Sequence, residues 1–538
     1  MKLVEILLSQ ARERGLRHFF GLPGGGAPLD MVEFGRQLGV DFVSVAHESS
    51  AAIMAAYYGV MKDTAGLALA IKGVGAGNLA GGAANAHFER LPVVCCCESA
   101  PSFVGDRELV SLCPHEQLFG AVVKHLDTLS PERATTQVGE AFYQATDGRP
   151  GPVLLDIPSD LGMVESGGPE FSLPEPTLLL PRQQPMTKVR ELLAASRRPL
   201  ILAGADVLRD KATSELLMLV EKLGAAVLVT MEAHGVFPER HNRWVGPFTG
   251  QYNPNIIEGI VAQQADFALL VGCDSLMSDL PWEVDVPTCE LVSRPDYQSL
   301  ATEPTLRVDG DLKVALKRIM PEVDQEGFSV EEIQGLRKTI EPHFARPAAA
   351  RLAVHDLLDI MQDLMPAETI LFSETGAMIL TLLHRWPVDE PGKHFGTAGG
   401  RTMGLMLPAI LGAKLARPDL PMIGLGADGS TLMRLGELEV FARMGITVPL
   451  VIVNDQALGT MKSRQKSRQM PDFALDFHPV DFAAVANACG LHGVTVDSPE
   501  AFKSEFQSAL MAPHTTLIDA RVDSQPYQDG FGPTIGAV

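Results

Sequence analysis

The stretch 424–461, GLGADGSTLMRLGELEVFARMGITVPLVIVNDQALGTM, limits what this chain can fold into more than any other. An apolar run over 421–425 breaks at Ala427-Asp428-Gly429-Ser430. A helical pattern follows, with Leu432, Leu435, Leu438 and Phe441 on one face, and a second apolar run over 448–453 ends at Asn454-Asp455. This reads as strand, loop, helix, strand, with the two strands parallel. In an open parallel sheet the carboxyl ends of such strands lie side by side at the ligand crevice. Asp428 and Asp455 are therefore expected together, beside a helix start and glycine amides. Oxygen ligands in that setting suit a divalent cation and the phosphates it carries.

The remainder of the 538 residues offers more units of this kind, and the length suggests roughly three or four domains. Over 1–165, helix and strand patterns alternate as in a doubly wound domain. A strand over 18–21 enters Leu22-Pro23-Gly24-Gly25-Gly26, and a strand over 41–46 hands over at His47-Glu48 to a small-residue helix, 49–60. A strand over 67–71 ends in Lys72-Gly73-Val74-Gly75-Ala76-Gly77-Asn78, a second glycine loop on the same sheet edge. Strands over 91–97 and 152–157 complete the set, and His115-Glu116 reads as a surface loop pair between them. Residues 162–184, rich in Pro, Gly and Glu, read as a linker.

A second unit, 185–325, carries strand patterns at 199–203, 225–230 and 267–272 but few clustered ionisable groups, so it reads as scaffold. A further connection is expected over 320–350. The third unit, 350–538, holds a helix to 364, a strand over 368–372 ending in Ser373-Glu374-Thr375-Gly376, and the segment HFGTAGGRTMG at 394–404. A helix over 407–415, the opening stretch and a strand over 516–522 follow. The fold class expected is α/β, with three doubly wound parallel-sheet domains.

Composition narrows the function. A net charge of −22 argues against nucleic acid or an acidic membrane surface as partner. No window of 18 uncharged apolar residues offers a membrane span, and the charged amphipathic start is no signal peptide. Seven cysteines, among them Cys95-Cys96-Cys97 in an apolar run, show neither metal-ligand nor disulfide spacing. A cytoplasmic protein is expected. Serine nucleophile elbow, histidine-rich metal cluster and Walker lysine loop are missing from the sequence. The glycine loops also lack the spacing and following ribose acid of a nicotinamide dehydrogenase.

Taken together, these motifs resemble the thiamine-diphosphate-dependent enzymes of the acetolactate synthase, pyruvate decarboxylase and benzoylformate decarboxylase superfamily. The matching pieces are PGGG at 23–26, HES at 47–49, KGVGAGN at 72–78, DGRPGPVLLDIPSDL at 147–161, GRTMGLMLPA at 400–409 and the ADGS…VNDQALG pair. The resemblance implies an N-terminal pyrimidine-binding domain, a central domain and a C-terminal diphosphate-binding domain. It also implies a cofactor lying between two subunits, hence a homodimer at minimum and a homotetramer as the expected assembly.

Carried over by position, Glu48 is the residue that hydrogen-bonds the aminopyrimidine ring and sets up proton removal from the thiazolium carbon. Gly25, Asn78, Thr375, Gly376, Arg401, Met403, Gly429, Ser430, Leu458, Gly459 and Thr460 join it around thiamine diphosphate. Met403 props the cofactor, the Arg401 carbonyl accepts from its exocyclic amine, and Asp428, Asp455 and the Ala457 carbonyl hold Mg2+. Gly25, Lys72, His115, Gln456 and Met461 are expected about the substrate, a small 2-oxo acid or related aldehyde.

The implied activity is an acetolactate-synthase-like decarboxylase or carboligase. Alternatives are a carbon–carbon lyase acting on a 2-hydroxy ketone or acyl donor, and a catalytically silent assembly subunit. Several positions depart from the family pattern. Ala427 replaces a glycine, which the turn tolerates if its φ is negative. Asp455 replaces an asparagine, and Met461 stands where pyruvate-decarboxylase-like members carry a glutamate. His115 and His125 are unpaired where those members have a His-His pair. The segment GCDSLMSDL lacks the arginine of flavin-binding synthases, so FAD is not favoured.

Overall fold

The computed structural model describes residues 1–523 apart from 105, 106, 108, 109, 176, 177 and 251–254. Residues 524–538, included in the third unit by the sequence reading, lie outside the described residues. Among the described residues, eighteen strands form three six-stranded sheets in which every pairing of named strands is parallel.

The first sheet contains β1 (His18–Gly21), β2 (Asp41–Ser44), β3 (Gly66–Ala70), β4 (Val93–Ser99), β5 (His125–Thr128) and β6 (Pro152–Pro158), in the order β2-β1-β3-β4-β6-β5. The second contains β7 (Pro199–Ala203), β8 (Ala226–Thr230), β9 (Trp244–Phe248), β10 (Phe267–Val271), β11 (Thr288–Val292) and β12 (Leu306–Asp309), in the order β12-β11-β10-β7-β8-β9. The third contains β13 (Ile370–Ser373), β14 (His394–Phe395), β15 (Met422–Ala427), β16 (Pro449–Asn454), β17 (His492–Val496) and β18 (Thr516–Arg521), in the order β14-β13-β15-β16-β18-β17. The first and third sheets thus repeat one order, and the second follows another.

Central strands are continuous apolar runs because helices cover both faces of a parallel sheet. β6 is buried throughout, and in β4 Cys95, Cys96 and Cys97 are buried as free thiols. Several strands that the sequence did not single out, β5, β12, β14 and β17, are partly exposed and carry mixed polarity. All four lie at or next to a sheet edge. β9 is also an edge strand, where Pro247 is tolerated.

Two helices buried on nearly every side, Glu48–Met61 of the first unit and Met406–Ala416 of the third, pack on each other. At Gly412 an added Cβ would sit 2.1 Å from the Met54 carbonyl oxygen, so only glycine permits this approach. One apolar core consequently runs through both units.

Three expectations are corrected. The single helix expected after Asp428 is two, Asp428–Leu432 and Glu437–Arg443; Leu438 and Phe441 are buried while Leu432 and Leu435 are half-buried. The connection expected over 320–350 contains a helix, Val330–Ile340, started by a Ser329/Glu332 capping box and burying Ile333, Leu336 and Ile340. The second unit also has a buried ionic cluster. Asp206 and Asp274, beyond β7 and β10, surround Arg149 from the first unit. The Arg149 guanidinium lies 2.8 Å from Asp206, 3.1 Å from Asp274 and 2.7 Å from the Cys273 carbonyl, over the Tyr297 ring. Arg90 adds a two-pronged contact to Asp274, at 2.7 and 3.1 Å. Sequence separation hides the cluster, since each acid stands alone in its own loop. Among the described residues no helix is long and apolar enough to cross a membrane.

Candidate active site

In the third sheet the chain leaves β13 for β14 on one side and then returns to β15 on the other. The crevice this reversal opens at the carboxyl ends is the expected ligand position. A cavity of about 290 Å3 lies there. Its wall includes Thr375, Gly376, Arg401, Met403, Asp428, Gly429, Ser430, Asp455, Ala457, Leu458, Gly459, Thr460 and Met461, thirteen of the residues named from the sequence.

Asp428 follows β15 and is buried, 4% exposed. Its oxygens accept from the Gly429 and Gln456 amides, each at 2.6 Å. Gln456 has a φ of +60°, so the β16 loop makes a left-handed turn to present that amide. Burial pushes Asp428 up to about 6 despite these bonds. Asp455 is pushed up to about 7 by burial and by the charge of Asp428. Two carboxylates side by side in a desolvated pocket repel, a condition that a divalent cation relieves.

The donor set of Asp428, Asp455 and the Ala457 carbonyl is all hard oxygen, as magnesium requires. The buried Ser430 lines the cavity, and its hydroxyl has no hydrogen-bond partner among the described residues, as a donor awaiting an anion would. Gly376 has a φ of +148°, a conformation that a side chain would strain. The residues present fit a magnesium-bound diphosphate. Ala427 has a φ of −114°, so the methyl group that replaces the family's glycine sits in unstrained extended backbone.

Arg401 and Met403 are carried by a loop braced from the first unit. The Glu89 carboxylate accepts from the Ala398 and Gly400 amides at 2.8 and 3.0 Å, and Asn85 donates to Thr402 at 3.0 Å. Arg401 itself has a φ of +44°, the left-handed region that a non-glycine residue occupies only when its surroundings hold it there.

Six of the sequence-named residues do not line this cavity: Gly25, Glu48, Lys72, Asn78, His115 and Gln456. Four of these gather at the matching reversal of the first sheet, beyond β1, β2 and β3. There Glu48 opens its helix, 7% exposed, and Asn78 donates to Glu48 Oε2 at 2.9 Å. A Cβ added to Gly75 would stand 3.2 Å from Glu48 Oε1, so glycine keeps that oxygen approachable. The two glycine loops interlock, a Cβ at Gly24 meeting Ile71 at 2.3 Å. Lys72 is not a free cation, since it pairs with the buried Glu98 at 2.9 Å.

The surface-loop reading of His115 is corrected. It is 4% exposed, starts the short helix His115–Phe119, and bonds Asp156 through Nδ1 at 2.7 Å. Gln456 serves the site through its backbone. The sequence reading missed Met231 and Thr249, which the second unit contributes to the cavity, and Met378, Ile379 and Arg464. Only Arg464 left a readable signal, standing four and three residues beyond Thr460 and Met461 on one helical face.

Comparison with known proteins bears on the same three segments. Residues 1–107 match the family model described as "Thiamine pyrophosphate enzyme, N-terminal TPP binding domain", 186–318 the "central domain", and 374–520 the "C-terminal TPP binding domain". The chain is 26% identical to a probable acetolactate synthase large subunit of Methanocaldococcus jannaschii, with 97% of this chain and 92% of that protein covered. It is 26% identical to acetolactate synthase isozyme 3 large subunit of Escherichia coli, over 94% and 92%. A solved structure from Mycobacterium smegmatis, described as a thiamin diphosphate-dependent enzyme, shares the fold with a TM-score of 0.80 at 19% identity, covering 97% of this chain and 99% of that one. With three matched segments in N-terminal, central and C-terminal order, and a cavity whose donors suit a magnesium-bound diphosphate, the chain belongs to the thiamine pyrophosphate enzyme family.

Proposed function

We propose that this protein is a thiamine-diphosphate- and magnesium-dependent decarboxylase and carboligase acting on a 2-oxo acid, in the manner of acetolactate synthase. The observation that carries the reading is the division of labour between the two reversal points. Asp428, Asp455 and Ser430 stand at one, and Glu48 with Asn78 at the other, outside the cavity of its own chain. A site that uses both is completed by a second copy, whose first unit covers the third unit of its partner.

In such a site Asp428, Asp455 and the Ala457 carbonyl hold the metal, while Gly429 and Ser430 donate to the diphosphate. The Arg401 carbonyl and Met403 meet the organic part, on the loop braced by Glu89. Bound thiamine diphosphate supplies an electron sink for the carbon that loses carbon dioxide. Glu48 presents Oε1 to the aminopyrimidine ring, because Asn78 donates to Oε2. The mostly apolar wall keeps water from the reacting carbon. Names of relatives that are acetolactate synthase large subunits support the 2-oxo acid as substrate class. Met461 at the mouth offers no proton donor.

A panel of 2-oxo acids, assayed for carbon dioxide release and for coupled product, tests the reading. Glu48→Ala should lower turnover by at least about a hundredfold, the range expected for a lost proton-transfer group, while cofactor remains bound. Turnover that survives in the variant would sink the assignment.

A further inference from the structure

We propose that the substrate carries a second acidic group, at the end remote from its reacting carbonyl, and that Arg464 receives it. The proposal deepens the function given above and rests on it for the direction in which the substrate lies. Beside its acid and hydroxyl end, the cavity has an apolar wall that includes Met231, Met378, Ile379, Met403 and Met461. Two arginines are among its lining residues, Arg401 and Arg464. Arg401 is engaged: it pairs with Asp279 at 2.7 Å and bonds the Thr249 carbonyl at 3.3 Å. The guanidinium of Arg464 makes no hydrogen bond or ion pair among the described residues. Its neighbour Lys462 shows the contrast, pairing with Asp472 at 3.1 Å and Asp476 at 2.6 Å.

Thr460, Met461 and Arg464 share the cavity face of the helix Gly459–Ser467. That helix begins beside Asp455, since a Cβ on Gly459 would stand 2.8 Å from its Oδ2. Five residues of helical rise place Arg464 about 7.5 Å further along the axis, towards the exposed mouth. The arginine therefore faces the part of the substrate farthest from the phosphate-binding end. In a chain of net charge −22, an unpaired cation at the mouth also gives the local field that draws an anion in.

Energetics decide which anion this is. An arginine on the carboxylate that departs as carbon dioxide would stabilise a charge that fades as the bond breaks, and so would raise the barrier. An arginine on an acid group that keeps its charge holds starting state and transition state alike. The anion suited to Arg464 is the one that stays, and a planar carboxylate matches its fork.

Calorimetric titration of the loaded holoenzyme with glutarate and with pentanoate tests this without turnover. The wild type should bind the diacid at least about tenfold more tightly, the range for a hydrogen bond to a charged group. Arg464→Gln should remove most of the difference, Arg464→Lys should keep part of it, and the exposed position makes both variants expected to fold. Equal or undetectable binding of the two acids in the wild type overturns the proposal, as does a preference that survives Arg464→Gln. Carbon dioxide release from 2-oxopentanedioate and 2-oxopentanoate is read separately. A diacid preference in binding with no release from either would uphold the anion subsite and sink the decarboxylase reading. Equal binding with rapid release would do the reverse.

Discussion

Glu374, at the end of β13, turns both carboxylate oxygens to the backbone, accepting from the Leu405 and Met406 amides at 3.0 and 3.1 Å where the helix Met406–Ala416 begins. Those amides favour the charged form, but burial outweighs them and pushes the carboxyl up to about 7 from its usual 4.5. Between about pH 4.5 and 7 the folded protein thus binds a proton that the unfolded chain has released, and stability falls as pH rises through that window. Glu374→Gln removes the titration. Its unfolding free energy relative to wild type, from urea titrations, should rise by roughly 2 kcal/mol between pH 5 and pH 8. The loss of one amide acceptor is a constant that cancels between the two conditions. A gap that does not move would show the carboxylate charged at both. At this scale the acid pair was legible because a glycine-flanked aspartate ending an apolar run has few other uses. His115 was not, because its partner Asp156 is distant in sequence and burial is a tertiary fact.

Helices and strands differ in how plainly they announce themselves. β4, β6 and β16 are apolar runs that only a covered parallel sheet explains. β5 and β17 have exposed residues, so neither alternation nor a run marks them. The helix Val330–Ile340 was hidden by its Glu, Gln, Arg and Lys content, although the Ser329/Glu332 box and the spacing of Ile333, Leu336 and Ile340 encode it. What sequence patterns cannot display is how elements of different units are fastened. Arg149, just before β6, enters the loops after β7 and β10 and neutralises Asp206 and Asp274. Arg149→Met should cost about 3 kcal/mol or more in urea unfolding, since it leaves buried carboxylates short of counter-charge. Arg149→Lys should recover less than half of that, because a point charge cannot reproduce contacts made by a planar fork. A cost below about 1 kcal/mol would mean that Arg90, on Asp274, and Arg209, which pairs with Asp206, suffice.

The molecule as a whole repeats one strand order in its first and third sheets, and each sheet carries half of the proposed site at its own reversal point. The three-unit α/β plan was legible in the sequence, and three units of similar size suggest a repeat of architecture. Which two units share a strand order was not legible, because shared topology leaves no shared residues. A two-chain site makes a specific prediction. Co-expressed Glu48→Ala and Asp428→Ala chains should form mixed dimers with one doubly damaged site and one intact site, restoring up to about half of the wild-type activity in that species. Each variant alone should be inactive, and mixing without recovery would place both halves in one chain. A last consequence follows from β4. Burial pushes the Cys95 thiol up to about 12 and raises the thiols of Cys96 and Cys97 well above the usual thiol range, while Cys113 is exposed and Cys489 half-buried. A thiol reagent therefore meets the strand at the heart of the first sheet only when that sheet opens. The chain carries its own clock: the moment at which those three sulfurs become countable dates the opening of the half that holds Glu48.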